Sequence, residues 1–158
     1  MNGIVIYDTS HGNTRLIAEA ISGTLNASGL NVDTRYLKDV KKLSPKDYDF
    51  LVIGSPTKFG TMSLAVKGFL GKLKADDWIG KPFAAFDTEN PENIEQARIQ
   101  NKEWSAAQKI ADQLNAKKMR QVLPVLKSVV LGWKGPLQEG EIDRAKEYAK
   151  ALAIELKK

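Results

Sequence analysis

Residues 4–21 read IVIYDTSHGNTRLIAEAI. The first four, Ile4 to Tyr7, form a continuous apolar run, the pattern of a strand covered on both faces. From Asn13 the period changes to that of a helix, with Ile17, Ala20, Ile21, Thr24 and Leu25 on one side. The hinge between them is short, polar and rich in hydroxyls. A doubly covered strand running straight into an amphipathic helix is the opening of a crossover unit, because parallel strands need such a connection.

The alternation continues outward from that stretch. In GLNVDTRYL (29–37), Val32, Thr34 and Tyr36 alternate with Asp33 and Arg35, as in a strand with one wet face or edge. YDFLVIGSP (48–56) and KPFAAFDT (81–88) are again apolar throughout, with a helix from Leu64 to Leu73 between them. A long helical region is expected from about Ile94 to Lys118, with Trp104, Ala107, Ile110, Ala111 and Leu114 inward. RQVLPVLKSVVLGW (120–133) is strand-like but interrupted by Pro124, which suits an edge or broken strand. The last helix should start near Glu139–Glu141, its acids at the positive end, with Ile142, Ala145, Ala149, Leu152 and Leu156 inward. This is a (βα)5 chain, hence an α/β three-layer sandwich on a five-stranded parallel sheet. Order 2-1-3-4-5 puts the alternating second strand and the proline-broken fifth at the edges.

Composition narrows the chemistry. The length of 158 residues suits one domain, taken as residues 1–158, and 42% hydrophobic with 27% charged residues is ordinary for a globular chain. There is no cysteine and only one histidine, so thiol chemistry, Cys-ligated metals and multi-His metal sites are excluded within one chain. Redox work would need an organic cofactor. The start carries no basic, apolar leader pattern, and no apolar stretch reaches the roughly 20 residues of a membrane span, so a cytoplasmic location away from membranes is expected. The net charge of +5 does not point to nucleic acid: Lys41, Lys42, Lys46, Lys117, Lys118 and Arg120 are scattered among acids, without an aromatic stacking platform. A basic surface would steer an acidic redox partner.

In an open parallel sheet ligands bind beyond the carboxyl ends of the strands, where the order reverses, here between strands one and three. DTSHGNT (8–14) sits there and enters a helix N-terminus with unpaired N–H groups and a partial positive charge. Thr9, Ser10 and Thr14 add hydroxyls, and Gly12 permits close approach or a sharp turn. A capping residue would account for one of those hydroxyls; the set describes a phosphate cradle. It is neither G-x-x-x-x-G-K-[ST] nor G-x-G-x-x-G. His11 is expected to act through its N–H more than its side chain. On the same side lie GSPTKFGTMS (54–63), which brings Phe59 to the rim, and FDTENPEN (86–93). A phosphate cradle beside an aromatic calls for a ligand with a phosphate and a ring system.

On these residues the chain resembles flavodoxins. YDTSHGNTRLIAEAI is similar to their FMN-phosphate loop and first helix, T/S-x-T-G-N-T: Thr9, Gly12, Asn13 and Thr14 match, and His11 replaces the second threonine. GSPTKFG resembles their second flavin loop, particularly in the form found in flavodoxin-like quinone reductases and oxidase domains, and SVVLGWKGPLQEGEIDRAKEYAKAL resembles the closing strand and helix of short flavodoxins. The resemblance spans the chain and implies FMN as cofactor. It implies that Thr9, Ser10, His11, Gly12, Asn13 and Thr14 hold the phosphate. Pro56, Thr57, Lys58, Phe59 and Gly60 would border the isoalloxazine, and Asp87, Thr88, Glu89 and Asn90 would close its other edge. The implied role is electron transfer to redox partner proteins, with an FMN-dependent NAD(P)H:quinone oxidoreductase as the alternative. Three departures stand out. The third loop has no aromatic to complete a sandwich, and Trp104 and Trp133 are expected to serve packing. The chain is basic where flavodoxins are commonly acidic. A segment around Asn90–Lys102 looks inserted, as a lid, a partner site or an inert helix extension.

Overall fold

The structure, a computed structural model, describes residues 1–101 and 105–158. Its parallel sheet holds β1 (Asn2–Tyr7), β2 (Asn31–Tyr36), β3 (Phe50–Pro56), β4 (Pro82–Glu89), β5 (Arg120–Gln121) and β6 (Leu126–Val129). The order is β2-β1-β3-β4, with β5 and β6 both paired to β4. These two are the expected fifth strand, broken on either side of Pro124, which has no N–H for a ladder. The alternating segment 31–36 is the opposite edge. No helix of the described residues is long and apolar enough to cross a membrane.

Period-2 alternation explains the continuous apolar runs. Ile4, Ile6, Leu51, Ile53, Phe83 and Ala85 point to one face, under α2 (Leu64–Lys72), α3 (Ala75–Trp78) and α5 (Ala106–Ala116). Val5, Tyr7, Phe50, Val52, Ala84 and Phe86 point to the other, under α1 (Asn13–Ala27) and α6 (Glu141–Leu156). Gly54 in β3 is dictated by packing: a Cβ there would lie 2.1 Å from ring carbons of Phe86.

The expected helical region from Ile94 to Lys118 proves to be two helices, α4 (Pro91–Gln100) and α5. Asn90 caps α4 by accepting from Asn93 N at 2.9 Å, and Pro91 stands where its missing N–H costs nothing. Asn101, in the left-handed region at φ 51°, ends the helix. Ser105 starts α5 by accepting from Gln108 N at 3.1 Å. Trp104, expected on an inner face, lies outside the described residues. The segment around Asn90–Lys102 is, as far as Asn101, this separate and mostly exposed helix, with Ala97 as its buried residue.

Candidate functional site

The strand carboxyl ends place the three polar loops around one cavity of about 520 Å³. In the first loop, Thr9 N–H donates to Asp8 Oδ1 at 2.9 Å, and the Thr9 hydroxyl accepts from Gly12 N at 2.9 Å. Gly12 is the N-cap of α1, left-handed at φ 89°, with no side chain capping the helix. The N–H groups of Ser10, His11, Asn13 and Thr14 therefore have no partner among the described residues. Simple capping does not account for the hydroxyls. Thr9 shapes the turn, and the buried Thr14 hydroxyl meets the Thr88 hydroxyl at 2.9 Å, tying the first loop to the third. Four unsatisfied donors at the positive end of a helix form an anion-binding cradle.

The second loop turns on itself. Lys58 and Thr61 exchange N–H···O bonds of 2.8 and 3.1 Å, and both central residues have positive φ, Phe59 at 50° and Gly60 at 78°. That is the two-residue hairpin turn that glycine and asparagine normally fill. Phe59 is instead a bulky residue held in a disfavoured region, and the residue is 88% exposed. Strain of this kind clusters at functional sites.

Trp133 is 80% exposed and lines the same cavity, with Val130 and Gly132 beside it. This corrects the expectation that Trp133 serves packing. It hangs from the loop after β6, which docks on the cradle through Asn13 Nδ2 donating to Lys134 O at 3.1 Å. The sequence signal was present in GWKGP (132–136), where a small, turn-forming segment flanks one large aromatic.

The third loop divides. Thr88, Glu89 and Asn90 line the cavity, joined by Asn93 from α4, a residue outside the expected set. Asp87 does not line it: its Oδ2 accepts from Ser105 Oγ at 2.8 Å and Ala107 N at 2.9 Å, so it anchors the start of α5 instead of closing the ring's edge. Alternation along β4 points it to the α5 side. Gly12 and Gly60 likewise shape their turns without lining the cavity, whereas Thr9, Ser10, His11, Asn13, Thr14, Pro56, Thr57, Lys58 and Phe59 line it.

Glu89 is the unusual group of the wall. It is 5% exposed; one oxygen accepts from Asn90 N at 2.9 Å and Asn93 Nδ2 at 3.0 Å, and Oε2 has no partner among the described residues. Burial pushes its carboxyl up to about 7, against those two hydrogen bonds, with a smaller push from Asp87 and a smaller opposing pull from Lys127. Burial also raises the Asp87 carboxyl.

An anion cradle and exposed aromatic rings share one cavity, at the switch point of a 2-1-3-4-5 parallel sheet. They define a class: proteins of this fold that bind a phosphorylated ring cofactor. Residues 4–116 match the flavodoxin domain family, and the chain belongs to it. A flavodoxin of Aquifex aeolicus (strain VF5) is 34% identical over 76 residues; the match covers 48% of this chain and 41% of that protein, so the chain spans under half of its length. Among solved structures, a flavodoxin from the domain Archaea covers all of both chains at a TM-score of 0.80 and 24% identity. Oxidised Flavodoxin 1 from Bacillus cereus covers 98% of each at 0.77 and 16%. At these identities both likenesses are of fold. Proteins of the flavodoxin family bind FMN and transfer electrons to redox partners. The residues here fit that cofactor, with donors for a phosphate dianion and apolar ring surface in the same cavity.

Proposed function

We propose that this chain is an FMN-binding electron carrier. The N–H groups of Ser10, His11, Asn13 and Thr14 hold the phosphate. Phe59 and Trp133 border the isoalloxazine, and the Thr88–Asn90 backbone with the Glu89 carboxyl meets its polar edge. Bound FMN supplies the redox chemistry; the protein orients it, limits water at its faces and sets the local charge. Residues 1–158 act as one domain in this proposal, supported by a single sheet shared by both cores. The partners are acidic proteins, supported by the net charge of +5, and the place of action is the cytoplasm.

The observation that carries the reading is the cradle of four unpartnered N–H groups in the cavity of Phe59 and Trp133. The family match and the Aquifex relative, both flavodoxins, favour a carrier over a quinone reductase. The test is titration of apoprotein with FMN and with riboflavin, followed by flavin fluorescence. Stoichiometric FMN binding with clearly weaker riboflavin binding is expected, because riboflavin lacks the phosphate. No FMN binding, or riboflavin bound as tightly, would overturn the assignment.

A further inference from the structure

A second cavity, a groove of about 700 Å³, lies between α2 and the segment that joins β2 to β3. Its floor is apolar, made by Leu37, Leu43, Phe69 and Trp78. Its walls carry Lys38, Lys41 and Lys42 on one side and Lys72 and Lys74 on the other, with Asp77 as the one acid. The lining thus holds a formal +4 in a chain whose total is +5. Asp39 and Asp76 neighbour these lysines in sequence but do not line the groove. None of the five lysines is in an ion pair among the described residues. Lysines from two separate segments thus line one concavity, which gathers positive charge on this face.

We infer that this groove docks an acidic segment of a partner protein, with apolar side chains on the floor and carboxylates against the five lysines. Charge complementarity selects the occupant: an anionic one matches the five lysines, and one with apolar groups also uses the floor. The position of α2 adds to this. Leu64, Ala65, Gly68, Phe69 and Lys72 form one stripe along α2, and Leu64, at the upper end, is 86% exposed. It directly follows the loop that carries Phe59 to the other cavity. A partner seated in the groove therefore reaches, at its Leu64 end, the segment next to the loop of Phe59. The assignment rests on the electron-carrier reading only for the identity of that partner as a redox protein.

The test is an amide NMR titration of the 15N-labelled protein, with and without FMN. The probes are a dodecapeptide of glutamate and leucine, an all-glutamate dodecapeptide and pyrophosphate. Shifts confined to residues 37–43 and 64–74 are expected with the mixed peptide, weakening as salt rises. Lys41→Glu/Lys72→Glu should weaken it at least tenfold; Lys146→Glu/Lys150→Glu on α6, the same change in net charge, should stay within twofold. Equal losses in the two variants would mean diffuse attraction and overturn the docking site, as would no binding. All-glutamate binding as tight would show the floor unused, and pyrophosphate binding as tight in the groove would make it a small-anion site; either overturns it. Groove binding that persists in a protein unable to hold FMN would overturn the carrier reading and leave the docking site standing.

Discussion

Replacing Glu89 by glutamine should make the protein more stable at neutral pH and leave it nearly unchanged in acid. The carboxyl titrates at 4.5 in its ordinary setting and at about 7 in the folded wall, because burial disfavours the charge. Between those values the unfolded chain has released a proton that the native chain still holds. Stability from this group is therefore full below pH 4.5 and is lost as pH rises to about 7. At about 1.4 kcal/mol per pH unit, the whole interval is worth about 3 kcal/mol, an upper bound. Glutamine stands in for the protonated acid and keeps an oxygen for Asn90 N and Asn93 Nδ2. Urea unfolding of the two apoproteins from pH 4 to 9, read by tryptophan fluorescence, isolates the effect, because distant titrations cancel in the difference. The stability gap should open from pH 4.5, favour Glu89→Gln, and level off above pH 7. A gap that does not change with pH, or a variant less stable at pH 8, would refute the reasoning.

Lys58 lines the flavin cavity, so Lys58→Gln should lower the potential of the second, lower-potential electron step by at most about 1 kcal/mol, about 40 mV; an unchanged or raised value in a redox titration counts against this. Phe59→Asn should keep or raise stability, since asparagine tolerates the left-handed turn, while weakening FMN binding by roughly tenfold through the lost ring contact. A parallel loss of stability and affinity would show that the ring serves the fold. Gly54→Ala should destabilise by about 1–3 kcal/mol, because the new Cβ falls on the Phe86 ring, and a urea midpoint equal to wild type would contradict that packing.

Most of the architecture was legible from local pattern. Ile4–Tyr7 and Phe50–Ser55 read as doubly covered strands because both faces of an inner strand are buried, and Asn31–Tyr36 read as an edge because half of it stays wet. Pro124 marked the break in the last strand through its missing N–H. The break between α4 and α5 was not legible, since Asn101 ends a helix only by adopting a left-handed conformation that its letter permits but does not require.

The amino-acid order by itself determined which segments pair into a parallel sheet and which turn carries the anion cradle. Both follow from side-chain period and from N–H groups that a helix start must leave free. Only the tertiary structure decided what comes together around them. Alternation in β4 turned Asp87 toward α5, whereas Glu89, on the same face at the last residue of the strand, reached the cavity wall; the loop after β6 carried Trp133 to the cavity through its hold on Asn13. Lys41 and Lys42, which looked scattered, joined Lys38, Lys72 and Lys74 in the walls of one groove. Proximity across tens of residues is a property of chain crossing and burial, and no local pattern encodes it.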